Sequence, residues 1–148
     1  VFGPYQDLYR IIPKTILSIL KNKSVLMHGK GETIRSFIYI EDVNSALMNI
    51  IKKGKIGQTY HISTNEFVSI KKLCELIIEK MNKKTKFKFI KDRTGKDFAY
   101  KLNSNKLKSK LNWKIKHSLS YSLDLTINWY LKNLKNLKNK KLNYEHKK

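Results

Sequence analysis

Acidic residues are scarce in this chain of 148 residues, which has 11 Asp and Glu against 32 Lys and Arg and a formal net charge of +21. So large an excess favours anionic partners and solubility but carries little information about fold. The lysines are spread along the sequence, as in Lys52-Lys53 and Lys71-Lys72, and do not gather on one helix. This spread disfavours a specific nucleic-acid surface, so a basic nucleic-acid-binding module stays only as the alternative from another functional class.

Cysteine occurs once, as Cys74, which excludes an internal disulfide. Cys74 shares a helical face with Ile70, Leu73 and Ile77. This pattern predicts a buried free thiol, as expected of a reducing, cytoplasmic compartment. A nucleophilic cysteine needs an exposed, electropositive setting instead.

No apolar run in the sequence approaches the length that crosses a bilayer, so we expect no membrane partner. The first five residues, VFGPY, show neither an initiator methionine nor a signal-peptide pattern. They read as a chain entered in its middle, and we expect a cytoplasmic protein.

Glycine is sparse, and no Gly-rich loop follows a strand in the way that binds the pyrophosphate of a dinucleotide. Gly29 and Gly31 only frame a turn. The four histidines are scattered without the spacing of metal ligands, so we expect no metal site. Neither a Ser-His-Asp nor a Cys-His arrangement is evident, and we therefore assign no catalytic residue to this chain.

What the sequence does contain is a series of amphipathic helices separated by short strands. Apolar spacing and capping residues predict helices from about Pro13, from 41–42 to Gly54, from a Ser69 N-cap to about 82, from a Ser104 cap to 111 and over 118–134. Strands are expected at 24–27, 33–40, 58–62 and 85–90. The fold class is therefore α/β, with a domain over 1–134 and a basic, disordered tail over 135–148.

Arginine is rare against this lysine background, with Arg10, Arg35 and Arg93 beside 29 lysines. Arginine kept at loops and element ends suggests a need for a planar, bidentate guanidinium, most often for phosphate or pyrophosphate. Three ordinary surface arginines are the alternative. Asp42, at the start of a helix, is expected to be structural, because a carboxylate there satisfies free N–H groups and the helix dipole.

Several motifs occur in an order and spacing that resemble one enzyme family, the extended short-chain dehydrogenase/reductases, in the dTDP-glucose 4,6-dehydratase branch. They are VFGPYQ at 1–6, RIIP at 10–13, HGKG at 28–31, IRSFIYIED at 34–42, GQTYHI at 57–62, DRTGKD at 92–97, LNW at 111–113 and WY at 129–130. The resemblance runs to about residue 134. The 92–97 loop favours the dehydratase branch, and the nearest alternative is a fragment of a related UDP-sugar epimerase or decarboxylase.

The resemblance implies the C-terminal, α+β-like substrate domain of an enzyme whose Rossmann core is mostly missing here. It implies a lyase that converts dTDP-glucose to dTDP-4-keto-6-deoxyglucose with NAD, which the missing N-terminal part binds. This chain would be inactive alone and marginally stable. Its implied partners are a nucleotide-diphosphate sugar, an N-terminal Rossmann half and, in the full-length enzyme, a second copy in a homodimer.

The resemblance also implies roles at individual positions. Arg35 and Arg93 match arginines that hold the nucleotide diphosphate, and Arg10 falls where the family has a lysine near the substrate. His61 and Lys96 stand where the family has Asn and His in substrate contact. The complete set of implied substrate-binding residues is Arg10, Ile11, Leu26, Met27, His28, Arg35, His61, Arg93 and Lys96.

Overall fold

The computed structural model describes residues 1–92, 95 and 97–137. Within them, the chain forms five helices and four short strands, so the predicted mixed α and β character is confirmed. The elements are α1 (Ile11–Leu20), β1 (Val25–His28), β2 (Ile34–Ser36), α2 (Ile40–Lys53), β3 (Phe67–Ser69), α3 (Ile70–Lys80), β4 (Phe87–Ile90), α4 (Asn105–Leu111) and α5 (Leu119–Leu137).

The strands form two small sheets. β1 pairs with β4 in parallel, with His28 opposite Ile90. β2 pairs with β3 in antiparallel fashion, with Arg35 opposite Val68. The parallel pair is joined by a long crossover that contains helices, as parallel pairing requires.

Helix starts follow the sequence signals at Pro13 and Ser69 but not at Ser104. Pro13 lies in the first turn of α1, where its missing N–H costs nothing. The Ser69 hydroxyl accepts from Lys72 N at 3.1 Å, and the Ser118 hydroxyl accepts from Tyr121 N at 3.3 Å. Ser104 does not cap α4 with its side chain: its hydroxyl donates to Ser63 O at 2.9 Å.

The apolar side chains form two cores. The larger core lies among α1, α3, α5 and β1, and the smaller one lies between α2 and α4 around Trp113. Cys74 is buried in the larger core, 3.4 Å from the Thr15 hydroxyl, as predicted for a free thiol. Burial raises the pKa of the Cys74 thiol to about 11.

Two predicted strands differ from the structure. Residues 58–62 belong to no strand of the described chain, because a strand needs a neighbour for its N–H and C=O groups and none of the described strands lies beside them. The strand predicted over 33–40 is limited to β2, because the chain then turns into α2, whose N-cap is Tyr39.

The last helix, α5, runs to Leu137, which is buried, so regular structure continues three residues past the predicted domain boundary at 134. Residues 138–148 of the expected tail lie outside the described residues, and its disorder stays a prediction. In the part of the chain that the structure describes, no helix has the length and apolar content to cross a membrane.

Candidate functional site

The candidate site lies where β1 and β4 end side by side. His28 is the last residue of β1, and its Nδ1 lies 3.3 Å from the carbonyl oxygen of Lys91, just past β4. The next residue, Gly29, donates its N–H to Ile90 O at 2.9 Å and has a φ of +57°. A Cβ at Gly29 would lie 2.5 Å from Asp92 Oδ2, so only glycine allows this close approach of the turn to the Asp92 carboxylate.

Arg35 holds the other end of the segment that begins at Asp92. Its Nη2 donates to the Asp97 carbonyl oxygen at 2.9 Å, and its Nη1 donates to Ile34 O at 2.7 Å. The backbone of β2 also binds the residues after Asp97. Ile34 N donates to Phe98 O at 2.9 Å, and Tyr100 N donates to Ile34 O at 3.3 Å. Residues 98–100 therefore run beside β2.

Two residues predicted to bind substrate thus contact the two ends of one loop. His28 contacts the carbonyl at residue 91, and Arg35 binds the carbonyl at residue 97. Arg93 and Lys96 lie outside the described residues. Their positions relative to Arg35 stay a prediction, but the chain that carries them starts and ends at the site.

Arg10 and Ile11 lie at the start of α1, which packs against β1. The Arg10 side chain is exposed, with its guanidinium carbon 5.1 Å from the centre of the Tyr9 ring. Ile11 is half-buried against the larger core. An exposed guanidinium at the N-cap position is available to an anionic ligand, whereas Ile11 contributes mainly to packing.

Neighbouring residues of β1 point to opposite sides of the strand. Leu26 is exposed, on the same side as the half-buried His28. Met27 is buried in the larger core, where its sulfur lies against Gly31, so its side chain offers no surface to a ligand. If Met27 contributes to binding, only its backbone can do so.

His61 is exposed in the irregular segment that follows α2. The connection to the site runs through Ser63, whose hydroxyl lies 3.1 Å from that of Ser36, the residue after Arg35. His61 itself has no contact with the 91–97 loop among those of the described residues. His61 therefore does not take part in the contacts by which His28 and Arg35 hold the ends of that loop.

A shallow groove of about 290 Å³ adjoins β2 and β3. Its floor includes Phe67, and the Lys101 ammonium lies 5.2 Å from the centre of that ring. The sequence did not identify these residues, because Lys101 is one of 29 lysines and nothing marks it before folding. The lining residues are Gly31, Glu32, Ile34, Phe67, Ser69, Lys71 and Lys101.

Asp42 is structural, as expected, but its partners lie elsewhere in the sequence. The buried carboxylate accepts from Lys116 N at 2.9 Å and from His117 N at 3.2 Å. His117 Nδ1 also lies 3.2 Å from Asp42 Oδ2, without the geometry of a hydrogen bond. Asp42 therefore satisfies N–H groups of the segment before α5, while its own helix begins without a side-chain cap.

The described residues contain no group of three or more His, Cys, Asp or Glu side chains placed to hold a metal ion. The chemical group that the site offers to a ligand is the planar, cationic guanidinium of Arg35. A guanidinium has several N–H donors, and Arg35 uses two of its N–H-bearing nitrogens on backbone carbonyls. The remaining donors suit oxygens of a phosphate or diphosphate.

Comparison with known proteins gives one family match and many relatives. The family model described as GDP-mannose 4,6 dehydratase matches residues 2–126. The dTDP-D-glucose 4,6-dehydratase of Homo sapiens is 35% identical over 146 residues, which cover 94% of this chain and 41% of the human protein. The chain spans about 40% of the length of the curated relatives that it matches first.

Solved structures share this fold. The dTDP-glucose 4,6-dehydratase of Bacillus anthracis, in complex with NAD, superposes with a TM-score of 0.85 and 28% identity over 90% of this chain and 43% of that one. The UDP-glucose 4-epimerase of Thermotoga maritima, with UDP-glucose, has the same TM-score and identity, over 90% of this chain and 44% of its own.

Proposed function

This chain belongs to the GDP-mannose 4,6-dehydratase family, and from that membership we propose that it is the substrate-binding, C-terminal part of a dTDP-glucose 4,6-dehydratase. In this proposal it holds the nucleotide diphosphate of dTDP-glucose, and the complete enzyme forms dTDP-4-keto-6-deoxyglucose. The relatives named dTDP-glucose 4,6-dehydratase, of which this chain spans about 40%, support the assignment.

One observation carries the proposal. The side chains of His28 and Arg35 contact the two ends of the 91–97 loop, at the carbonyls of Lys91 and Asp97. Lys91 and Asp97, which flank Arg93 and Lys96 in the sequence, are thereby held by two cation-forming side chains. Cations presented from separate segments suit a diphosphate, whose charge is spread over two phosphoryl groups.

NAD is proposed as the cofactor. It would be bound by the portion of the enzyme that this chain does not cover in its relatives. The NAD complex of the Bacillus anthracis structure supports it. When bound, NAD supplies reversible hydride transfer at the sugar. The residues of this chain fix the nucleotide so that the hexose is oriented, and such positioning lowers the entropic part of the barrier.

The partners of this proposal are a nucleotide-diphosphate sugar, an NAD-binding N-terminal half and, for the complete enzyme, a second copy in a cytoplasmic homodimer. The homodimer rests on the resemblance to the family alone. The location is supported by Cys74, a reduced thiol buried in the core, which suits a reducing compartment.

A UDP-sugar epimerase is the second candidate, favoured by the TM-score of 0.85 with the Thermotoga maritima enzyme. The two candidates differ in the base of the nucleotide and in the product. Both differences can be measured on one protein if this chain is joined to the N-terminal portion of a relative.

The test uses a hybrid in which the portion of the Bacillus anthracis dehydratase that precedes the aligned region is joined ahead of Val1. Calorimetric titration is done with dTDP-glucose and with UDP-glucose, and the products are identified by mass spectrometry. Tighter binding of dTDP-glucose with loss of one water from the sugar is the expected result. Tighter binding of UDP-glucose without dehydration favours the epimerase, and a folded hybrid that binds neither contradicts both.

A further inference from the structure

Two shallow grooves meet beside the sheet that β2 and β3 form. The groove described above continues into a second one, also of about 290 Å³. Phe67 and Lys101 line both grooves and therefore lie where the two meet. We call the joined pair the Phe67 groove. Its second part is lined, beyond these two residues, by Asn65, Leu102, Asn103 and Asn105.

The Phe67 groove lies on the face of this sheet that is turned away from Arg35. Neighbouring side chains of a strand point to opposite faces of the sheet, and Ile34 lines the groove whereas Arg35 does not. The residue opposite Arg35 is Val68, which packs against the larger core. A ligand in the Phe67 groove therefore does not need the guanidinium that is proposed to hold the nucleotide diphosphate.

Three lysines from distant parts of the sequence come together at this groove. Lys71, in the first turn of α3, lines the first part, and Lys101 lines both parts. Lys108, in α4, reaches the second part, where its Nζ donates to Asn65 Oδ1 at 3.3 Å. Folding thus brings to one surface lysines that the sequence keeps apart.

The positive charge of the groove is largely uncompensated. Of the described residues that line it, only Glu32 carries a carboxylate. Lys71 Nζ lies 4.0 Å from Glu75 Oε1, and both side chains are almost half exposed, so this ion pair is weak. In the described part of the chain, neither Lys101 nor Lys108 forms an ion pair. The charge of the groove is therefore complementary to that of an anion.

Phe67 gives the groove an exposed aromatic surface. Its side chain is 39% exposed, and the Lys101 ammonium lies 5.2 Å from the centre of the ring. The side-chain amides of Asn65, Asn103 and Asn105 add hydrogen-bond donors and acceptors. An aromatic ring on which a base can stack, set among cations that meet phosphates, is the combination by which proteins hold single-stranded nucleic acid.

From this arrangement we infer that the Phe67 groove binds single-stranded nucleic acid without base specificity. One base stacks on Phe67, and neighbouring phosphates lie at Lys71, Lys101 and Lys108. Stacking tolerates any sequence because every base has a flat face. An acidic peptide fits less well, since its carboxylates would pair with the lysines but leave the Phe67 ring without a planar partner. The inference goes beyond the proposed function and does not depend on it.

Fluorescence anisotropy of a labelled oligothymidylate, titrated with the Bacillus anthracis hybrid, tests the inference. A length of about 12 nucleotides lies within the roughly 4–16 that single-strand-binding folds occupy. Binding should persist at saturating dTDP-glucose, and polyglutamate should displace the strand poorly. Displacement by dTDP-glucose assigns the strand to the Arg35 site, and displacement by polyglutamate as efficient as by unlabelled oligothymidylate indicates an acidic polymer. Either result overturns the inference.

Two double variants with the same change in net charge separate the groove from the overall charge of the chain. Phe67→Ala with Lys101→Ala should weaken binding at least about tenfold, because stacking and one phosphate contact are both lost. Phe89→Ala with Lys132→Ala also removes an exposed ring and one positive charge, but neither residue lines the groove. This control should weaken binding less than about twofold. Equal losses, with both variants folded by circular dichroism, overturn the inference.

The salt dependence of binding adds a second measurement. Each phosphate held by a lysine contributes about −0.7 to the slope of log affinity against log salt concentration for a single strand. Lys71→Ala with Lys101→Ala should therefore make the slope about 1.4 less steep. Lys132→Ala with Lys135→Ala, at exposed positions of α5, should leave the slope unchanged, and equal changes in the two variants overturn the inference.

Two further results separate the groove from the rest of the enzyme. Binding of the strand by the isolated chain that is lost in the hybrid means that the NAD-binding portion covers the groove, which overturns the inference. Titration of the hybrid with dTDP-glucose reports on the proposed function separately. A hybrid that binds the strand through the groove but does not bind dTDP-glucose supports the inference and contradicts the proposed function.

Discussion

Nη2 of Arg35 lies 2.9 Å from the carbonyl oxygen of Asp97, which ties the middle of β2 to the end of the loop that follows β4. The same guanidinium binds Ile34 O through Nη1. Both contacts are made to backbone carbonyls, so they fix the plane of the guanidinium, and no carboxylate of the described residues forms an ion pair with it. A cation held in this way keeps its charge available to an anionic ligand.

Replacing Arg35 by lysine should weaken dTDP-glucose binding to the hybrid at least about tenfold, because one hydrogen bond to a charged group contributes roughly 1.5–3 kcal/mol. Lysine keeps the charge but cannot bind two carbonyls and a phosphate in one plane. Isothermal titration calorimetry measures the loss. Lys132→Ala, at an exposed position of α5, removes one positive charge away from the site and is the control. A loss there as large as that of Arg35→Lys would contradict a specific role for the Arg35 guanidinium.

Gly29→Ala should destabilise the turn beside the site, whereas Gly57→Ala should do so less. Both glycines have positive φ, +57° and +77°, so both variants carry the backbone strain of about 1 kcal/mol or more. Only at Gly29 would the new Cβ also meet an atom, Asp92 Oδ2 at 2.5 Å, while nothing lies within 4 Å at Gly57. Urea unfolding of the two variants measures the difference, and equal losses would contradict the close contact with Asp92.

Asp42→Ala should lower the free energy of unfolding by about 1–3 kcal/mol, because it leaves the N–H groups of Lys116 and His117 without their buried acceptor. Asp124→Ala is the matched control. Its carboxylate pairs with Lys80 Nζ at 2.7 Å but is 48% exposed, so its loss should cost less than about 1 kcal/mol. Chemical denaturation of both variants checks the order, and a larger loss at Asp124 would contradict it.

Stability should fall as the pH rises above about 9, partly because of Cys74. Burial raises the pKa of its thiol from 9.0 to about 11, so between these values the unfolded chain loses a proton that the folded chain retains. The folded state then binds more protons than the unfolded state, and the free energy of unfolding decreases with pH. The contribution of Cys74 is fully present below about pH 9 and is lost as the pH rises to about 11.

Cys74→Ala isolates this effect. Its free energy of unfolding should change less between pH 8 and pH 10 than that of the parent chain, measured by urea denaturation at each pH. Burial also raises the pKa of Tyr130, to about 12, so some decrease above pH 10 should persist in the variant. An identical pH dependence in both proteins would contradict a protonated thiol in the core.

Local signals in the sequence were sufficient for most elements. The Ser69 cap, Pro13 in the first turn of α1 and the helical spacing around Cys74 act within a few residues, and the structure follows each of them. The family resemblance, which depends on motifs in order, is confirmed by the match over residues 2–126.

Long-range partners were not predictable in the same way. Ser104 was expected to cap α4, yet its hydroxyl binds Ser63 O, 41 residues away in the sequence. Asp42 was expected to act within its own helix, yet it binds N–H groups of Lys116 and His117. A side chain takes the partner that folding brings near, and no local pattern reveals which partner that is.

The sequence by itself determined the periodic elements, the buried thiol and the family, because propensity, capping and motif order are properties of neighbouring residues. Only the tertiary structure decided that Met27 faces the core, that 58–62 lacks a strand partner among the described residues, and that His28 and Arg35 contact the two ends of one loop. These outcomes depend on burial and on hydrogen-bond partners far away in the chain, which exist only once the chain has folded.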